Sequence, residues 1–94
     1  DQQSLNDYKL FQNYPNPFNP TTKISWQSPV SSWQTLKVFN VLGKEVVTLV
    51  DEFKPAGSYE SEFNAENISS GIYFYVLKTN TFCDQKKMLV LKWN

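Results

Sequence analysis

The sequence has no histidine, one cysteine, one methionine and three scattered glycines. Without an imidazole, neither a Ser-His-Asp nor a Cys-His nucleophile can be assembled, and the common zinc sites lose a principal ligand. A lone Cys83 excludes an internal disulfide, so the fold must rest on packing. Its neighbours Phe82 and Asp84 supply no base or cation to lower its pKa, which leaves a buried or edge thiol. Three isolated glycines cannot form a phosphate-binding loop.

Charge of one sign and long apolar runs are equally scarce. Nine basic and nine acidic side chains cancel, and no like-charged block exceeds the pair Lys86-Lys87. That removes the electrostatic footprint of a nucleic-acid binder or a peripheral membrane helix. No run approaches the roughly eighteen apolar residues that cross a bilayer, and "DQQSLNDYKL" lacks the successive regions of a signal peptide. The chain reads either as cytoplasmic or as an internal piece of a longer secreted protein. Asp51 with Glu52 and Glu60 with Glu62 are the close carboxylate pairs. Adjacent strand residues point to opposite faces, and Glu60 and Glu62 fall on the polar face of their strand, so a solvated surface is the expected role.

What the chain does have is rings. Its 94 residues suit a single domain, 40% are apolar and 16% aromatic, with seven Phe, five Tyr and three Trp. A few large rings should therefore dominate the core. They are spread over short extended runs separated by turn chemistry, the pattern of an all-β sandwich or small barrel. The most helix-like stretch, "VLGKEVVTLVDEF", is broken by Gly43 and rich in β-branched residues, and is read as strand.

Tyr8 and Leu10 alternate in a first strand, Ile24 and Trp26 in a second that Pro29 ends, and Leu36 and Val38 in a third. Asn40 and Gly43 bracket a tetrad suited to a type I turn followed by a left-handed residue. The fourth strand covers residues 46–50; Val46 and Leu49 cannot share one face of a regular strand, which leaves room for a bulge. "DEFKPAG" reads as a loop. Tyr59, Ser61 and Phe63 alternate with Ser58, Glu60 and Glu62 in a half-buried fifth strand. "IYFYVLK" is apolar on both faces and should be central. Thr79-Asn80 is expected to make a two-residue hairpin turn with Asn80 at positive φ. Asn67-Ile68-Ser69 fits an N-glycosylation sequon, a match short enough to arise by chance. About seven antiparallel strands with alternating rings predict an immunoglobulin-like or fibronectin III-like antiparallel β-sandwich.

One segment fits neither helix nor ordinary strand. "NYPNPFNPTT" places three prolines and three asparagines in ten positions. Pro15, Pro17 and Pro20 fix φ and delete backbone donors, and Asn16 and Asn19 are biased to extended conformations by the prolines after them. The segment should cross between sheets, with Tyr14 and Phe18 plugging the end of the sandwich. Trp33, Phe53 and Trp93 are placed in or beside connections and at the terminus, where they either cap the core or offer a stacking platform for sugar rings.

"NYPNPFNPTTKISW", "LKVFNVLGKEVVTLV", "PAGSYESEFN", "SSGIYFYVL" and the terminal "KKMLVLK" resemble, in order, the blocks of the type A C-terminal sorting domain of type IX secretion cargo. The middle blocks are also similar to the immunoglobulin-like domain of flagellar hook-capping proteins. The resemblance implies a non-catalytic module without cofactors at the C-terminus of an exported bacterial protein, secreted or held at the cell surface after transit of the periplasm and outer membrane. Residues 1–7 would be a linker from an upstream passenger and residues 8–94 the sorting sandwich. Its implied partners are the outer-membrane secretion translocon and a sortase-like peptidase that removes the domain, with no nucleic acid and no small-molecule substrate. Carried over by position, the signal falls on Pro55, Gly57 and Tyr59, on Gly71, Ile72 and Tyr73, and on Lys87, Met88, Leu89, Val90, Leu91 and Lys92. Ser28, Phe63-Asn64, Asn80 and the extra Trp93-Asn94 depart from the family's usual residues. The last strand, residues 88–92, is then expected at a sheet edge with backbone groups open to a partner strand, guarded from self-pairing by Lys86, Lys87 and Lys92. The competing reading is a carbohydrate- or protein-binding accessory β-sandwich module of a secreted enzyme.

Overall fold

Alternation of inward and outward side chains runs through most of the long strands, and a computed structural model describes residues 7–92. In chain order the strands are β1 (Lys9–Leu10), β2 (Thr21–Ser28), β3 (Ser32–Asn40), β4 (Glu45–Lys54), β5 (Gly57–Asn64), β6 (Gly71–Lys78) and β7 (Cys83–Val90). They form two antiparallel sheets, β1-β2-β5 and β4-β3-β6-β7. No helix occurs among the described residues. The predicted sandwich is present, with the strand order of an immunoglobulin-like fold whose fourth strand has joined the larger sheet.

The two sheets bury Ile24 and Trp26 from β2 and Phe63 from β5 against Leu36, Val38, Tyr73, Tyr75, Leu77, Met88 and Val90 of the larger sheet. Aliphatic residues share this core with the rings more evenly than the composition suggests. Trp26 is also polar glue: its indole Nε1–H donates to Gln34 Oε1 at 2.9 Å across the buried interior. Gln34 Nε2 is buried without a hydrogen-bond partner, a cost the fold carries inside its core.

β4 is longer than expected and holds the anticipated irregularity. Its register against β3 steps from Leu36↔Val50 to Lys37↔Thr48, and again from Val38↔Val47 to Phe39↔Glu45. Leu49 and Val46 are the extra residues, so two bulges let Val46, Val47, Leu49 and Val50 all pack against the core. Residues 51–54 belong to this strand, which shrinks the expected "DEFKPAG" loop to Pro55 and Ala56. The Asn40 turn is as predicted: Gly43 N–H donates to Asn40 O at 3.0 Å, and Gly43 takes φ +80.

The last hairpin differs from expectation by one residue. Thr79 N–H donates to Phe82 O at 2.8 Å, which centres the turn on Asn80 and Thr81. No non-glycine residue has positive φ among the described residues, so Asn80 does not adopt the conformation expected of it.

The Pro-Asn segment does cross between sheets, but its two rings separate. Phe18 is 3% exposed and meets Phe63 edge-on at 6.0 Å, whereas Tyr14 is 81% exposed and plugs nothing. Nor is the backbone wholly excluded from pairing. Tyr14 makes an isolated antiparallel bridge to Lys23, and Phe18 a parallel one to Val90. The peptide bonds preceding Pro15, Pro17 and Pro20 are cis.

Candidate functional site

Gly57 and Gly71 each open a strand, and each is followed two residues later by a tyrosine that reaches back. The Tyr73 phenol donates to Ser69 O at 2.8 Å, and the Tyr59 phenol donates to Pro55 O. Both bonds run from residue i to the carbonyl of i−4, so "PAGSY" and "SSGIY" are the same device: a corner stapled by a tyrosine. The Tyr73 staple matches the tyrosine corner of immunoglobulin-like sandwiches, at the start of the strand that occupies this position. Tyr59 is further held by Trp26 at 5.9 Å between ring centroids and by Lys54 Nζ, 4.6 Å from its ring centroid.

These two staples lie at opposite ends of the sandwich. Ser32 pairs with Lys54 beside the Pro55 corner, while Asn40 pairs with Tyr73 at the other end of β3. Of the sequence-inferred signal residues, Pro55, Gly57 and Tyr59 therefore stand apart. The remaining groups come together, since Gly71 pairs with Val90, Ile72 with Leu89, and Tyr73 with Met88.

Strand parity divides this second group by role. Tyr73, Met88 and Val90 point into the core and are buried. Ile72, Lys87 and Leu89 point outward, and together with Asn16 and Pro17 they line a mainly apolar groove of about 300 Å³. Leu91 is exposed, whereas Lys92 is tied down: its Nζ donates to Glu66 O at 2.6 Å and its backbone N–H to Ser70 Oγ at 2.8 Å.

β7 does form an edge of the larger sheet, as expected, but the expected openness of its backbone is not found. Lys87 O accepts from Gln12 Nε2 at 2.7 Å, and Leu89 N–H donates to Asn16 Oδ1 at 2.9 Å. Leu89 O accepts from Phe18 N–H at 3.1 Å, and Leu91 N–H donates to Phe18 O at 3.0 Å. The segment 12–18 is thus a strap along the terminal strand. Sequence reasoning anticipates the burial of Phe18 but not the bonds of Gln12, Asn16 and Phe18 to the terminal strand, because these partners lie more than seventy residues away and no periodicity survives between the prolines.

The strap is anchored inward as well. Asn13 is buried; its Nδ2 donates to Pro15 O at 3.1 Å and to Thr22 Oγ1 at 3.0 Å, and its N–H donates to the Tyr75 phenol at 2.7 Å. Burial pushes the Tyr75 phenol up to about 12. At the other end of the hairpin, Tyr8 stacks on Phe82 with centroids 4.5 Å apart.

Glu60 and Glu62 lie on the exposed face of β5, as expected, and the first is an ion-pair partner of Lys23 at 3.9 Å. Cys83 is exposed at the start of β7. No cluster of three potential metal ligands occurs among the described residues. Trp33 and Phe53, expected in or beside connections, lie next to the ends of β3 and β4 as a cross-strand pair; they are 57% and 59% exposed, and the Trp33 Nε1–H donates to Asp51 Oδ1 at 2.6 Å. Trp93 lies outside the described residues.

Comparison with known families agrees with the topology. The family described as "Secretion system C-terminal sorting domain" matches residues 12–92, from the strap through the terminal strand. No curated protein matches the chain. The chain belongs to this sorting-domain family, whose members carry the signal for type IX secretion, export proteins through the outer membrane and are not catalysts in themselves.

Proposed function

We propose that this member of the secretion system C-terminal sorting domain family is the address label of a longer exported protein, read by an outer-membrane translocon. Residues 1–7 serve as the linker from an upstream passenger, and residues 8–94 as the label. A sortase-like peptidase then cuts the label away and leaves the passenger at the cell surface. The reading is carried by one observation: a family match over residues 12–92 coincides with a sandwich whose outward terminal residues gather on one edge.

The physical division of labour follows from strand parity. Ile72, Lys87, Leu89 and Leu91 present side chains to a receptor, while Gly71, Tyr73, Met88 and Val90 hold the strand in place for it. Pro55, Gly57 and Tyr59 act at a distance, by fixing the opposite corner. Lys92 keeps the end of the strand against the loop at Glu66. Deleting residues 87–94 from the full-length cargo should leave the passenger in the periplasm, as read by fractionation; a truncated cargo that reaches the surface at the normal level refutes the reading.

A second reading draws on the paired exposed rings of Trp33 and Phe53, which suit a carbohydrate- or protein-binding accessory module. Retention on insoluble polysaccharide that is lost on Trp33→Ala supports it. Equal behaviour of the two chains in that pull-down removes it.

A further inference from the structure

The larger sheet ends in two edges of unlike character. β4 is broken by bulges at Val46 and Leu49, which spoil it as a template. β7 is regular, with an unbroken register against β6 from Gly71↔Val90 to Lys78↔Cys83. After Cys83 it runs through the charged stretch "DQKK" and ends in apolar "MLV", with Leu91 just beyond. An apolar regular edge is the more adhesive kind. The strap's hydrogen bonds to this edge all fall on the stretch from Lys87 to Leu91.

The strap occupies that edge poorly for a strand. Only Phe18 pairs through its backbone, in a single parallel bridge to Val90. The next strap residues that would face β7 are Asn16 and Pro20: Asn16 meets the Leu89 N–H with its side chain, and Pro20 has no N–H to give, so pairing stops at one residue. Asn16 and Gln12 make up the difference with side-chain amides. The Phe18 ring, buried against Phe63, fixes the end of the strap that lies on β7, while buried Asn13 and the Tyr14 bridge to Lys23 fix its start. Such an occupant stays seated because it is tethered nearby, and an incoming strand with a donor at every alternate position can make more main-chain bonds than it does.

We propose that the apolar half of β7 is a strand-addition site held in cis by residues 12–18. Its partner is an extended peptide segment carrying an aromatic side chain for the slot that Phe18 fills. The exchange resembles donor-strand complementation, in which main-chain bonds give affinity and side-chain pockets give choice. It rests on the reading above that the terminal strand is what the export apparatus engages, and it adds the step that must come first: the strap leaves before any strand can pair with Leu89 and Leu91.

The probe is a fluorescent peptide of residues 12–20, QNYPNPFNP, added to the 94-residue chain and followed by anisotropy. The chain carrying Phe18→Ala should bind it at least about ten-fold more tightly than the unsubstituted chain, and the same peptide carrying Phe18→Ala should not bind. A folded Phe18→Ala chain that ignores the peptide overturns the proposal, as does equal binding by both chains. If Phe18→Ala does not fold, Asn16→Ala decides by amide exchange. The Leu89 N–H should then exchange about ten-fold faster while Met88 and Val90, whose N–H groups face β6, keep their rates; an unchanged Leu89 rate overturns the proposal. Neither measurement involves export, so failure here leaves the sorting role standing, and normal export of the truncated cargo would remove that role without touching the strap.

Discussion

Tyr75 and Asn13 are joined across 62 residues of chain: the Tyr75 phenol accepts the Asn13 N–H at 2.7 Å. The same oxygen donates to Phe11 O at 2.8 Å. One buried hydroxyl thus completes two main-chain groups of a segment whose prolines leave it little chance of completing them in a ladder.

Tyr75→Phe should cost about 1–3 kcal/mol in urea denaturation at pH 7, because the Asn13 N–H is left buried and unpaired. The variant should also lose a pH dependence. The unfolded phenol ionises near the ordinary value of about 10, and the folded one near 12. Between these values the unfolded chain binds fewer protons than the folded chain, so stability falls as pH rises. That contribution is complete below pH ~10 and declines toward pH ~12 by about 1.4 kcal/mol per unit at most. Tyr75→Phe should show a shallower decline over that window; identical slopes would mean that the phenol is not held in its buried, neutral form.

Trp26 and Gln34 are coupled through one hydrogen bond in a core that already leaves Gln34 Nε2 unpaired. Trp26→Phe should therefore cost about 2–4 kcal/mol, combining lost ring volume with a wholly unsatisfied amide. Adding Gln34→Met to that variant should recover part of the loss, since the second change removes the stranded polar group. A double variant less stable than Trp26→Phe alone in guanidinium denaturation would contradict this.

Gly43 is the turn position where a side chain meets no steric neighbour but the backbone itself is left-handed, at φ +80. Gly43→Ala should cost about 1–2 kcal/mol and Gly43→Asn less, because asparagine tolerates that conformation best after glycine. The two thermal midpoints, measured side by side, test the conformational origin. Equal losses would point to packing instead.

Met88 and Leu89 are neighbours with opposite duties. Met88→Ala should destabilise by about 2–5 kcal/mol, as for other buried large-to-small changes. Leu89→Glu, on the outer face, should alter stability by less than about 0.5–1 kcal/mol and yet reduce surface delivery of the cargo. If Leu89→Glu is both stable and normally exported, the outward side chains are not what the receptor reads.

Much of the architecture could be read directly because alternation is local. Tyr59, Ser61 and Phe63 against Glu60 and Glu62 need no distant information to define β5, and Asn40 with Gly43 defines its turn. The bulges were foreseeable as a parity conflict between Val46 and Leu49, though the strand's extension through residues 51–54 was hidden by charge that looks like loop. Phe53 lies in that extension, so it is paired with Trp33 where its polar neighbours suggest a loop. The strap shows where such reading ends. Tyr14 and Phe18 are chemically alike and flanked alike, and only the remote partners Val90, Leu89 and Phe63 decide which of the two rings goes inside. The paired Gly-x-Tyr corners were visible as residues, but their common i−4 bond is a property of the folded turn.

The two bulges of β4 have a consequence for crowding before export. A filament of paired sheets requires every subunit to offer two matching sides, and in the larger sheet bulges break one while the strap covers the other. Strand-to-strand addition between copies through this sheet therefore has to wait until the strap lifts from β7.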